Sequence, residues 1–180
     1  MNITRKLSTG KIPTVHIREY VTWKTVEAII DFKTGEKISV EVPIDWSNTA
    51  ANILASKYLR KAGVPSRLWQ KEDDSIPAWL RSHRKIESEN EFGGETSAHQ
   101  VFHRLAGHWT YTGWKHGYFK VPKTSMIESH AWQNSEEMAQ AFYDEIYLML
   151  AHQMAAPNSP QWFNTGLWWA YGIEGDDTGS

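Results

Sequence analysis

No cysteine occurs anywhere in the 180 residues, and that absence constrains the chain more than any motif it contains. It removes disulfide staples, thiolate zinc sites, cysteine nucleophiles and dithiol redox couples from within the chain. Order must come from burial, and the length allows it. A chain of this size folded alone hides roughly 70% of its unfolded surface. Apolar residues at 41% and charged residues at 22% sit near globular averages, which excludes a wholly disordered chain. The net charge of −2 excludes a generally basic nucleic-acid binder held by phosphate contacts. No run approaches the roughly 18 apolar residues of a membrane helix, and no apolar stretch follows Arg5 and Lys6 as a secretory signal would require. A cytoplasmic protein, off the membrane and free of nucleic acid, is the expectation.

Charge and aromatic content divide the chain. Residues 1–90 carry 15 Lys and Arg against 11 Asp and Glu, whereas residues 91–180 carry 4 against 10. The second half also holds 16 of the 23 aromatics and six of the eight His. The organisation expected is a polar arm over 1–18, a hairpin, helix and charged linker over 19–96, and a helical, aromatic-rich region over 97–180.

Within the middle part, Val21, Trp23, Val26, Ile29, Ile30 and Phe32 form a β-rich run, and Ile38, Val40 and Val42 alternate after it. Gly35 lies in the loop between them, and Pro43 closes the second strand. Ser47 or Asn48 caps a helix over 49–61 that Gly63 stops. Residues 71–97 are charged and broken by Pro77 and Gly93-Gly94. A helix over 97–106 precedes a glycine-punctuated aromatic loop from His108 to Phe119. The clearest element is a long helix opened by Asn134 and Glu137, with Met138, Phe142, Ile146, Met149, Leu150 and Met154 on one stripe and Pro157 beyond it. The fold class expected is mainly α (α+β), with one small hairpin near 21–42.

Three constellations offer chemistry. His99 and His103, at i and i+4 on one helix face with His108 and His116 following, could hold a metal ion. Yet Gln100 stands where the H-E-x-x-H pattern has its general base, and the bland alternative is His at a core edge. The aromatics around Lys115, Lys120 and Lys123 could stack the bases of a single strand, but the acidity of this half favours core or partner-facing aromatics. Finally, Asn158-Ser159-Pro160 follows the long helix, and a helix restarting at Pro160 would present free backbone donors to an anion. An ordinary helix start explains those three residues equally well.

The longer segment decides between these. Ser159-Pro160-Gln161-Trp162-Phe163-Asn164-Thr165-Gly166 resembles the S-P-T-L-F-N-A-G signature of ribonucleotide reductase large chains. The run from Met154 to Leu167 is similar to the adenosylcobalamin-dependent class II in particular. So is Val101-Phe102-His103-Arg104-Leu105-Ala106-Gly107-His108-Trp109-Thr110-Tyr111, with Gly113-Trp114-Lys115 and Gly117-Tyr118-Phe119 behind it. The stretch from Ile53 to Pro65 fits the same amino-terminal region. The matches run in order from about residue 50 to 173.

The resemblance implies an oxidoreductase that converts ribonucleotides to deoxyribonucleotides on a ten-stranded α/β barrel. Its chemistry runs through a cysteine thiyl radical generated by adenosylcobalamin and a cysteine pair that supplies electrons. None of those cysteines is in this chain, so the barrel, the cofactor site and the catalytic residues are expected in a cysteine-containing C-terminal remainder. The chain alone is expected to be inactive and to carry no metal site. By the resemblance Ser159 contacts the bound ribonucleotide, and Asn158, Trp162, Phe163 and Asn164 shape the turn around it. The surplus of Trp would pack on the absent barrel, leaving an exposed apolar patch when the chain is alone. The terminal residues 175–180 depart from the family pattern. A non-catalytic nucleotide- or partner-binding remnant of such an enzyme is the alternative.

Overall fold

The computed structural model describes residues 3–10, 16–88, 90–119 and 135–174. The expected helix opener Asn134, the basic residues Lys120 and Lys123, and the tail 175–180 lie outside the described residues.

The hairpin pairs β1 (Trp23–Asp31) with β2 (Glu36–Pro43) in antiparallel register, Val26 opposite Val40 and Trp23 opposite Pro43. Gly35 turns the chain at φ 74°, a left-handed conformation that costs a residue without Cβ nothing. Ala28, Val40 and Val42 point inward and are fully buried. The next helix, α1 (Asn48–Ile53), is capped by Ser47, whose Oγ accepts from the Ala50 N–H at 3.1 Å. It continues as one π-helical turn, Leu54–Tyr58, and stops there rather than running to residue 61.

The charged stretch beyond it is threaded into the fold by two short ladders. β3 (Val64–Pro65) pairs with β6 (Phe92–Gly93), and β4 (Leu68–Gln70) pairs with β5 (His83–Lys85), all antiparallel. A 3₁₀ turn, Ala78–Leu80, lies between β4 and β5, and Ile76 and Leu80 anchor the stretch in a core shared with Trp169 and Leu167.

The second helix is almost twice its expected length. α2 (Ala98–Lys115) opens on a capping box between Ser97 and Gln100 and passes through Gly107 and Gly113 without a break. Those two glycines are packing positions, not loop punctuation. A Cβ on Gly107 would stand 2.0 Å from Cζ3 of Trp169, and one on Gly113 would stand 2.9 Å from Cε2 of Phe119. Helix propensity is given up there so that an aromatic ring can lie flush on the backbone.

Against α2 packs α3 (Ser135–Ala151). Its buried face is turned from the expected stripe. Met138 and Leu150 are buried, but Tyr143 and Tyr147 face the core, while Phe142, Ile146 and Met149 are half-buried and Met154 is 61% exposed. Burying a tyrosine requires a partner for its hydroxyl, and α2 supplies one to each, as described below. The helix ends at Ala151, whose carbonyl accepts from the Trp46 indole at 2.8 Å. Two short helices close the described chain, α4 (Ser159–Asn164) and α5 (Leu167–Tyr171), separated by Gly166 at φ 86°.

The architecture is therefore mixed α and β, helices with three two-stranded antiparallel sheets, and no closed barrel among the described residues. The main core joins hairpin, α1, α2 and α3 around Phe102, Val101, Leu105, Leu54 and Tyr147. Part of the polar arm is tied onto α3. The backbone N–H groups of Lys6, Leu7 and Ser8, together with Ser8 Oγ, all donate to the Glu145 carboxylate at 2.6–3.0 Å. No helix among the described residues is long and apolar enough to cross a membrane.

Candidate functional site

The Asn158-Ser159-Pro160 turn is exposed where α3 hands over to α4. Ser159 is the first residue of α4 and Pro160 lies inside its first turn, so the helix starts one residue earlier than the prolines suggest. Asn158 is the N-cap through its carbonyl, which accepts from the Gln161 N–H at 3.0 Å, and its side chain makes no capping bond. Ser159 Oγ lies 3.1 Å from Oη of Tyr58, the last residue of the π turn. The Tyr58 ring in turn stacks on Trp162, with centroids 5.5 Å apart and planes 22° from parallel. Trp162 is buried and touches Phe102 in the main core, whereas Phe163 is 36% exposed. The structure thus brings Ser159 and Trp162 together around a tyrosine that the turn motif does not contain. Asn164, the last residue of α4, is half-buried and also hydrogen-bonded or in contact.

Beneath the turn lies a fully buried ion pair. Arg104 of α2 and Glu95 both have no exposed side-chain area, with Nε to Oε1 at 2.7 Å. Arg104 Nη1 donates to the Thr165 carbonyl at 2.8 Å and Nη2 to the Tyr58 carbonyl at 3.1 Å. One guanidinium therefore fastens both segments that carry the Ser159–Tyr58 contact. Glu95 is saturated from the other side by the Arg60 N–H at 2.8 Å and the Tyr171 hydroxyl at 2.8 Å. Burial, reinforced by the Glu95 carboxylate, pushes the Tyr171 phenol well up and keeps it a donor. Charge buried this deeply survives only when it is paired and hydrogen-bonded throughout. Gly166 belongs to the same construction, since a Cβ there would stand 2.1 Å from the Arg104 carbonyl.

Sequence reasoning passed over Tyr58, Glu95 and Arg104. The one available signal is Arg104 itself, a charge set among Val101, Phe102, Leu105 and Ala106 on one helix.

The histidines form a separate cluster. His99 and His103 stack at 5.6 Å as their i, i+4 spacing requires, and His16 packs edge-on to His99 at 5.6 Å. Their Nδ1 atoms are engaged by tyrosine hydroxyls, His99 with Tyr147 at 2.7 Å and His103 with Tyr143 at 2.6 Å. Burial, then the Arg18 charge, lowers His99 to about 4. Burial, then its neighbouring histidines, holds His103 well below the ordinary value. Because α2 continues through the expected loop, His108 sits five residues past His103 and about 140° around the helix from it. No group of three potential metal ligands comes together among the described residues.

Two recesses lie among the described residues, a cleft of about 430 Å³ near His103 and one of about 230 Å³ near Trp114.

Residues 24–153 match the family model described as class II vitamin B12-dependent ribonucleotide reductase. The chain is 44% identical over 185 residues to the vitamin B12-dependent ribonucleotide reductase of Bradyrhizobium diazoefficiens, a match covering 97% of this chain and 13% of that protein. It is 45% identical over 147 residues to the enzyme of the same name from Agrobacterium fabrum, covering 78% of this chain and 10% of the relative. At 28% identity over 158 residues, the Rhodopirellula baltica enzyme of that name covers 86% of this chain. The chain thus spans about an eighth of the length of the curated relatives it matches.

Proposed function

The chain belongs to the class II vitamin B12-dependent ribonucleotide reductases, and from that premise we propose that it is an amino-terminal region serving the enzyme as a substrate-positioning piece. In this reading the reaction is reduction of a ribonucleotide to a deoxyribonucleotide. Cobalamin, when bound by the remainder of the enzyme, supplies the radical that the reaction needs. In this reading the thiols that supply electrons lie in the remainder, since this chain has no cysteine. The Ser159 turn contributes hydrogen-bond donors to the nucleotide, and apolar residues left exposed, such as Phe163, Met154 and Ile53, contribute packing surface to the remainder. Trp162, Trp169 and the α3 tyrosines, by contrast, are already buried in this chain's own cores.

The observation that carries the reading is the support beneath Ser159. A surface serine is ordinarily free to rotate and to move with its loop. Here it is placed against Tyr58 Oη, and the carbonyls on either side are pinned by one buried guanidinium. A ligand group bound at Ser159 would meet a donor already oriented, which reduces the entropic cost of binding. Phe163, Met154 and Ile53 remain 36–61% exposed, apolar area consistent with a further protein surface.

A nucleotide titration tests the assignment. Ribonucleotide binding is expected to weaken about tenfold in Ser159→Ala, the loss of one hydrogen bond to a charged ligand. Binding that ignores the substitution removes Ser159 from the site. A chain that binds nucleotide yet yields no activity with a cysteine-bearing remainder would instead favour the non-catalytic remnant.

A further inference from the structure

An open cleft of about 430 Å³ lies between the amino-terminal turn, Trp79 and α3, away from the Ser159 turn. Its walls include the rings of His16, Trp79, His103 and Tyr143, with the carboxylates of Glu136 and Asp144 also lining it. The volume falls within the range that holds small organic ligands.

The hydrogen bonds in its wall have a fixed direction. The Arg18 backbone N–H donates to His16 Nδ1 at 3.1 Å. A ring nitrogen that accepts bears no proton, so His16 carries its proton on Nε2. His16 Nε2–H then donates to the Tyr143 oxygen at 3.2 Å, and His103 Nδ1, 2.6 Å away, is the acceptor to which we assign the Tyr143 proton. His103, also neutral, must hold its proton on Nε2. Burial lowers both imidazoles from their ordinary values, His16 with help from the Arg18 charge, which agrees with neutral rings at pH 7. The His103 Nε2–H finds no acceptor among the described residues, and the half-buried His103 lines the cleft. A backbone amide on one side of the cleft thus sets the polarity of a donor on the other.

We propose that this cleft is a binding site for a small, uncharged, planar molecule bearing a hydrogen-bond acceptor, a carbonyl or ring nitrogen, taken by His103 Nε2–H. The flat walls favour a planar body. Anions are disfavoured because, among the described residues, no Lys or Arg lines the cleft, Glu136 and Asp144 do, and Arg5 is spent on Asp144. Simple cations lack the acceptor that the donor requires.

Nicotinamide and nicotinate, alike in shape but different in charge, make the test on the full 180-residue chain. Nitrogen-15 NMR of the imidazoles should show the Nε2–H form at His16 and His103, and nicotinamide should shift the His103 signals on titration. Nicotinate is expected to bind at least about tenfold more weakly. His103→Phe should weaken nicotinamide about tenfold. Tyr143→Phe, which keeps the ring but cuts the relay, should weaken it severalfold and release the His103 tautomer. A proton on His103 Nδ1, no His103 shift at millimolar nicotinamide, equal binding of nicotinate, or unchanged affinity in either folded variant each overturns the proposal.

Discussion

Arg104 and Glu95 meet at 2.7 Å with neither side chain reaching solvent, directly under the turn that carries Ser159. Beyond each other, the two side chains are hydrogen-bonded to Tyr58, Thr165, Arg60 and Tyr171. Removing one member leaves the other charged and buried. Arg104→Met is therefore expected to cost about 3–5 kcal/mol, against about 1–2 kcal/mol for Tyr171→Phe, which removes a single donor. Urea denaturation of both variants measures the difference. Equal small losses would mean the pair is hydrated in solution.

The same construction predicts a reversed glycine effect. Gly→Ala inside a helix ordinarily stabilises by about 1 kcal/mol. At Gly107 the new methyl would collide with the Trp169 ring, so Gly107→Ala is expected to destabilise by about 1–3 kcal/mol. Gly93→Ala, where a Cβ meets nothing within 4 Å, serves as the control and should be near neutral. Thermal melting of the two proteins reads the contrast directly.

Acid stability follows from the histidine cluster. Burial lowers His16, His99 and His103 from the ordinary 6.5, His99 to about 4. The unfolded chain then binds more protons than the folded one in that window, so stability rises with pH there and is lost as pH falls from about 6.5 towards 4. Each histidine adds up to about 1.4 kcal/mol per pH unit to the slope. Glu145 adds a later loss. Burial raises it, but the bonds from Ser8, Leu7 and Lys6 outweigh that and hold it low, so its contribution disappears below about pH 4.5. Asp144, raised by burial against the pull of Arg5, works in the opposite sense. Urea midpoints at pH 7, 6 and 5 should fall in that order, and His99→Asn should flatten the trend. A flat profile in the native protein contradicts the neutral cluster.

The hairpin could be read from the sequence because β-branched alternation and a left-handed glycine are local signals, and β1, β2 and Gly35 lie where those signals put them. The length of α2 could not, because Gly107 and Gly113 look like breakers until Trp169 and Phe119 are seen lying on them. The buried face of α3 was misplaced for a related reason. Apolar counting undervalues Tyr143 and Tyr147, whose burial depends on His103 and His99 from another helix. At the Ser159 turn the motif residues are legible as a local run, whereas Tyr58, Glu95 and Arg104 lie 55 to 101 residues away along the chain and reach the turn only through folding.

The central claim, a substrate-positioning piece with no catalytic thiol of its own, is tested most directly by assaying ribonucleotide reduction with adenosylcobalamin and a dithiol. The chain is assayed alone and then with the cysteine-bearing remainder of a class II enzyme. The account predicts no deoxyribonucleotide from the chain alone and turnover once the remainder is added. Turnover by the 180 residues unaided, or a remainder whose activity is indifferent to the chain, would contradict it.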